Sequence, residues 1–365
     1  MDVSSELVHA LLPVFMVTTL GTSALLLGAL EGLAEATPLL VKAFSGSLSD
    51  ALKNRKWVAV GGYAISAASK PLFVIAQSTG MVAAARLIDR LGKGIRGAPR
   101  DALIADLTTK EQRPAAYGLR QSLDSVGAIV GPLLAIALMA AWNDDVRSVF
   151  IVSAIPAALA VALLALGVRE PDVPPSSKPS SPRVAWQQLD PKFWNIVVIG
   201  ALFSLARFSE AFLVLRAQER GLALTLVPLV LMVMNVMSAA FAFPFGKLAN
   251  RVAGKDLLRS SLMVLAAADL LLAIDGHWAL TLGGVALWGL QLAMTQGLLS
   301  TLVADAVPAE FRATAFGVFG LMTGIATLLA SVAAGALWLA SPAATFLVGA
   351  ALSLAALAAL RRVPT

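Results

Sequence analysis

Apolar residues run along this chain in long blocks separated by short polar stretches. The blocks cover 7–21, 23–45, 57–78, 80–105, 115–141 and 147–168, and then 193–215, 223–245, 257–275, 278–304, 313–339 and 342–360. A helix needs about 20 apolar residues to cross the hydrocarbon of a bilayer. Each block is therefore read as one membrane span, which predicts an all-α polytopic protein of twelve transmembrane helices. The stretch from Arg169 to Asp190 breaks the rhythm, with Pro171, Pro174, Pro175, Pro179 and Pro182 among serines. That composition describes an extended linker. It predicts a six-helix bundle over 1–168, a linker over 169–192 and a second six-helix bundle over 193–365.

The two halves repeat. Gly46-Ser-Leu48-Ser-Asp50 closes span 2, and Gly246-Lys-Leu248-Ala-Asn250 closes span 8, 200 residues later. Ala105-Asp106 closes span 4 and Ala304-Asp305 closes span 10, at an offset of 199. Glu111-x-Arg113 with Tyr117-Gly118 returns as Glu310-x-Arg312 with Phe316-Gly317, also at 199. Motifs sharing one offset at the same ends of their spans predict two parallel six-helix repeats. A further match, Ser5-Glu6 with Ser209-Glu210, places the start of span 1 upstream of residue 1. The first helix is thus expected to be short by about a dozen residues relative to span 7.

Composition agrees with a lipid solvent: of 365 residues, 58% are hydrophobic and 14% charged, where soluble domains have about 25% charged. With no cysteine and only His9 and His277, disulfide, thiolate and clustered-histidine metal chemistry is excluded. No metal or cofactor is expected. The net charge of +6 does not signal nucleic acid, because the cations sit between apolar blocks. Seventeen Lys and Arg fall on one set of loops, and three, Arg147, Arg216 and Arg220, on the other. The positive-inside rule then puts the linker and the C-terminus in the cytoplasm. The first residues carry no basic segment or cleavage site of the signal-peptide kind.

Gly46-x-Leu48-x-Asp50 followed by Arg55-Lys56 resembles the loop between helices 2 and 3 of the major facilitator superfamily, and Gly246 to Lys255 resembles its second copy. Ala51, Lys53 and Asn250 depart from the usual pattern. The resemblance implies a secondary transporter of the inner membrane, similar to the bacterial drug/proton antiporters. It implies a cytoplasmic gate built from Gly46, Asp50, Arg55, Lys56, Asp106 and Arg113, and from Gly246, Asn250, Arg251, Asp305 and Arg312. Asn250 cannot form an ion pair, so the second latch is expected to be the weaker. Gly127-x-x-x-Gly131-Pro132 in span 5 resembles the family's antiporter motif. Its residues equally suit close helix packing.

An ionisable residue inside a span costs about 2.5–3.5 kcal/mol on insertion scales. In span 4, Arg86, Asp89, Arg90, Lys93, Arg96 and Arg100 fall within about 120° of one helix face at 100° per residue, and Ala84, Leu87, Ile88 and Leu91 form the other face. The charged face is expected to look into the protein or an aqueous cavity, with Arg86, Arg90 and Lys93 deepest and Arg96 and Arg100 snorkelling toward the cytoplasm. Gly92-Lys93-Gly94-Ile95-Arg96-Gly97 lacks the order of a phosphate loop. Its glycines suit helix packing, and Pro99 suits a kink. Glu31, Glu35 and Lys42 share a face of span 2. Together with Glu6, Lys70, Arg207, Glu210, Gln291 and Gln296, these residues make the candidate set for substrate or proton coupling. A buried structural ion-pair network is the alternative use of the same charges.

No nucleotide-binding motif and no nucleophile–base constellation is present, so neither a primary pump nor an enzyme is expected. The reading is an alternating-access transporter that exports a small organic compound against protons. Uptake or uniport of a small anion is the second reading, and a non-transporting receptor or scaffold the third. The expected partners are a small-molecule substrate, protons and the lipid bilayer, with the chain acting as a monomer.

Overall fold

The computed structural model describes all residues except 53, 110–111, 171–190, 250, 308–311 and 361–365, and the side chains of a few others inside helices. The described chain is helical throughout. The first span is α1 (Asp2–His9), α2 (Leu12–Val14) and a wide π turn, Phe15–Thr19. Five long helices follow: α3 (Ala24–Leu52), α4 (Arg55–Ile75), α5 (Thr79–Asp106), α6 (Arg113–Ala141) and α7 (Val146–Gly167). Span 7 is split into α8 (Pro191–Ala206) and α9 (Ala211–Glu219). Then come α10 (Leu229–Ala249), α11 (Gly254–Ala273), α12 (Trp278–Asp305), α13 (Arg312–Ala340) and α14 (Pro342–Leu360). Counting each interrupted helix once gives the twelve-helix plan. Among the described residues, eight helical spans, the interrupted span 7 counted as one, are long and apolar enough to cross a membrane.

The helices start where polar side chains satisfy their free N–H groups. Asn54 accepts from Trp57 N–H at 3.1 Å and opens α4, while Ser78 accepts from Met81 N–H at 3.4 Å and opens α5. In the exposed turn before α7, Asp145 accepts from Arg147 N–H at 3.1 Å and from the Ser148 hydroxyl at 2.5 Å. The Ser148 bond, foremost, holds this carboxyl below the usual carboxylate range. Asn143 and Asp144 bring the chain to that cap with φ of 48° and 64°, a conformation these two residue types tolerate. Gly21 and Gly221, 200 residues apart, both take positive φ just past spans 1 and 7, so the repeat extends to its turns.

The chain forms two compact units. The first comprises Met1–Leu12 and Leu33–Ser181, the second Pro13–Gly32 and Pro182–Thr365. The outer part of span 1 and the start of α3 thus belong with the C-terminal bundle. There Gly28 and Gly32 meet Ser331 and Leu328 of α13 closely enough to leave no room for a Cβ. In the first unit, Gly92 of α5 lies against Gly62 and Ser66 of α4, and Gly94 lies against Val41 of α3. These close approaches set the spacing on which the site depends. Pro99 lies inside α5, which continues to Asp106.

The three cations counted on the outer loops are not free loop charges. Arg147 donates to the Val74 and Ala76 carbonyls at 2.5 and 2.8 Å, capping the C-terminal end of α4. Arg216, 2% exposed, donates to the Leu272 and Ala273 carbonyls and to Asp275, and Arg220 donates to the Leu272 and Ile274 carbonyls. Both tie α9 to the C-terminal end of α11. Cations at that end satisfy orphan carbonyls and oppose the helix dipole.

Candidate functional site

In the first unit the charged face of α5 points inward and its apolar face outward. Arg86, Asp89 and Arg90 are 1%, 3% and 8% exposed, while Leu91 on the opposite face is 40% exposed. Lys70 Nζ reaches Asp89 Oδ1 at 2.9 Å, and both side chains are buried. Ser5 Oγ lies 3.5 Å from the same ammonium. Ser66 donates to the Asp89 carbonyl at 3.0 Å and accepts from Arg96 at 2.9 Å, binding α4 to α5 through one hydroxyl. Such pairing is what a carboxylate and an ammonium need at this depth.

Arg96 corrects the sequence expectation. It does not snorkel: it is 3% exposed, stacks 4.7 Å from the centre of the Tyr63 ring and approaches Asp2 at 3.9 Å. The close seat of α5 on α4 at Gly62 and Gly92 turns its guanidinium inward. Lys93, expected among the deepest residues, is instead exposed, with Glu6 as one of its charged neighbours. Glu6 and His9 on α1 approach to 3.8 Å, too long for a hydrogen bond. Gly127 and Gly131 of α6 place α1 here: a Cβ at Gly131 would lie 2.6 Å from Glu6 Cβ. Pro132 is buried beside them.

Span 2 behaves differently from the expected row of pairing charges. Lys42 leaves the deep network and pairs with Asp101 at 3.1 Å. Asp101 also meets Arg120 at 3.2 Å and Arg100 at 3.4 Å, and the two arginines share Asp124. The sequence reading singled out none of Asp101, Arg120 and Asp124 as site residues. Glu31 is fully buried within the second unit, and Glu35 lies half-buried in the first. Of the gate, Arg55 pairs with Asp106. The backbone N–H groups of Arg55 and Lys56 each donate to Glu170 at 2.7 Å, so the first residues after α7 cap α4. Gly46 and Gly246 sit inside α3 and α10, and Arg251 is exposed. Asn250 lies outside the described residues, as do the side chains of Asp50, Arg113, Gln296, Asp305 and Arg312.

The second unit contains a cavity of about 150 Å³ lined by Gly200, Phe203, Ser204, Arg207, Gln291, Thr295, Leu299, Phe319 and Thr323. Arg207 stands at the gap between α8 and α9, where Ser331 Oγ accepts the Ser209 N–H at 3.1 Å and Ser209 Oγ accepts the Ala211 N–H at 3.3 Å. Interrupted backbone at membrane depth is tolerated where such partners exist. Glu210 immediately precedes α9. Arg207 and Gln291, both named from sequence, thus share one cavity.

A buried acid was missed from sequence. Asp269 of α11 is 0% exposed and accepts the Trp288 indole N–H at 2.9 Å. Its other oxygen, Oδ2, has no hydrogen-bond partner among the described residues and faces Gly349. Phe208 packs on Trp288 and on Phe346, with ring centres 5.6 and 5.5 Å apart. An aspartate inside an apolar run was itself the available signal.

Comparison with known proteins places this geometry. The profile of the Major Facilitator Superfamily matches residues 2–251 and again 211–365. An MFS-type transporter of Methanocaldococcus jannaschii is 30% identical over 359 residues, covering 97% of this chain and 89% of the relative. The multidrug resistance protein MdtH of Edwardsiella ictaluri is 28% identical over 133 residues, 36% of this chain and 33% of that protein. The crystal structure of the nucleoside transporter NupG superposes with a TM-score of 0.79 at 14% identity, covering 99% of this chain and 95% of that one.

Proposed function

The chain belongs to the Major Facilitator Superfamily, and from that premise we propose that this secondary transporter exports a small organic compound in exchange for protons. It would act as a monomer in the cytoplasmic membrane with its C-terminus inside. The observation that carries the proposal is the buried charge network of the first unit, above all Lys70 and Asp89 at 2.9 Å. A permanent charge in a span must be neutralised or used. Asp89 is held by Lys70. Glu6 is more available: its partner His9 stands at 3.8 Å and its side chain is 21% exposed. Glu6 is therefore the leading proton carrier, with Glu35 next, since Glu31 has no exposure. Export draws support from the partial likeness to a multidrug resistance protein. Uptake or uniport of an anion is the second reading, favoured by Arg86, Arg90, Lys93 and Arg96 outnumbering the acids of the same network.

Proteoliposomes with an imposed pH gradient test the proposal. A screen of small organic compounds should find one that moves with the gradient in the native protein. Glu6→Gln imitates the protonated acid, so exchange down a substrate gradient should persist while pH-driven movement stops. Full pH-driven transport in Glu6→Gln and in Glu35→Gln would remove both as carriers. Transport indifferent to pH would favour uniport.

A further inference from the structure

The cavity of the second unit has a definite chemistry. Among the described residues its one charged lining residue is Arg207, and the guanidinium has no hydrogen bond or ion pair with any of them. Gln291 is 1% exposed, and its Oε1 is buried without a partner among the described residues. The amide orientation follows from Thr295. The Thr295 hydroxyl donates its only proton to the Gln291 carbonyl at 3.0 Å, so its oxygen can only accept, here from Gln291 Nε2 at 3.4 Å. That leaves Oε1 as an acceptor in want of a donor. Phe203, Phe319 and Leu299 supply apolar walls, and Phe319 packs so closely on Gly200 that no larger residue fits there. A space of about 150 Å³ takes an apolar group the size of a benzene ring.

We infer that this cavity binds a small organic anion that carries a hydroxyl or amino donor beside its carboxylate and an apolar body. The carboxylate sits on the Arg207 fork, the neighbouring donor meets Gln291 Oε1, and the apolar part lies against Phe203 and Phe319. Arginine suits this task because its planar donors match a carboxylate in two bonds. A buried acceptor left unpaired penalises analogues that lack the donor. The inference rests on the transporter reading and specifies its substrate class, a hydroxy or amino acid with an apolar side group. Arg207 lies at the gap between α8 and α9, so an anion bound there bridges the end of α8 to α12.

Equilibrium binding to the detergent-purified full chain tests this without requiring transport. The probes are mandelate, phenylacetate, which lacks the hydroxyl, and 2-phenylethanol, which lacks the charge, each titrated calorimetrically. Mandelate should bind several-fold tighter than phenylacetate, and 2-phenylethanol should show no saturable binding. Arg207→Gln should weaken mandelate at least about tenfold, the loss expected for a charge-assisted pair, and Arg207→Lys should restore part of it. Gln291→Leu should erase the difference between mandelate and phenylacetate while both still bind. Melting temperatures of the variants near that of the native protein would show that the fold is retained. Equal binding of all three probes, or an unchanged mandelate affinity in folded Arg207→Gln, overturns the inference. Binding as described with no pH-driven transport would leave the anion site standing and remove the proton-exchange reading. Transport of other compounds with no binding of any probe would do the reverse.

Discussion

The two halves solve one structural problem with opposite chemistry. In the first unit, Lys70 of α4 and Asp89 of α5 meet at 2.9 Å. Moved along by the repeat of 199, these positions become Asp269 of α11 and Trp288 of α12, which also meet at 2.9 Å, with donor and acceptor exchanged. The fold keeps one buried polar bond between these helix pairs and is indifferent to which side donates. The surroundings differ entirely. Arg86, Arg90, Lys93 and Arg96 correspond to Val285, Gly289, Leu292 and Thr295. Around Lys70 and Asp89 the neighbours on α5 are cations; around Asp269 and Trp288 they are apolar and aromatic, and among the described residues lining the cavity Arg207 is the one guanidinium. Architecture has been preserved while the chemistry divided. This is the arrangement expected if one half handles charge coupling and the other recognition.

The sharpest way to break the comparison is to remove one partner from each pair. Lys70→Met strands Asp89 among buried groups and should cost about 3–5 kcal/mol. Trp288→Phe takes the indole donor from Asp269 without removing a charged partner and should cost about 1–3 kcal/mol. Thermal melts of the purified variants decide between them. An equal loss would mean that the two interiors are not electrostatically different. Helix spacing gives a smaller contrast. Gly92→Ala puts a Cβ 2.5 Å from the Gly62 carbonyl and should destabilise by about 1–3 kcal/mol. Gly283→Ala, which meets only the end of Leu271 at 3.3 Å, should stay within about 0.5 kcal/mol. The smallest effect costs no stability. The chain has no cysteine, so single introduced cysteines report access to water. Lys93→Cys should react readily with a water-soluble thiol reagent, its counterpart Leu292→Cys more slowly, and Ala85→Cys, 0% exposed, not at all. Rapid labelling at Ala85 would show that this buried position is open to water.

The fold was legible because lipid imposes a strict demand: each apolar block had to be a helix. The inward face of α5 followed from periodicity, since its charges recur at helical spacing. What escaped depended on tertiary partners. The gap between α8 and α9 contains neither proline nor glycine, only Arg207-Phe208-Ser209-Glu210, and Ser331 from α13 satisfies its backbone. No local pattern contains that information. Arg147, Arg216 and Arg220 were read only as loop charges; their use as caps for α4 and α11 required knowing which helix ends lay beside them. Lys42 shared a face with Glu31 and Glu35 but pairs with Asp101, because a long side chain near a helix end reaches a neighbouring helix. Asp269 was within reach of the sequence: the same repeat that matched the loops carries Lys70 onto it.

The clamped arginines give span 7 a mechanical character. The outer segment, α9, is riveted to the end of α11 by Arg216 and Arg220, whereas α8 packs on α13 and α14 and has no such rivets among the described residues. Along the chain, a torque on α8 passes to α9 through the four residues 207–210. Span 7 is therefore two levers meeting at one joint, and Arg207, the cation of the cavity, is mounted on the joint itself.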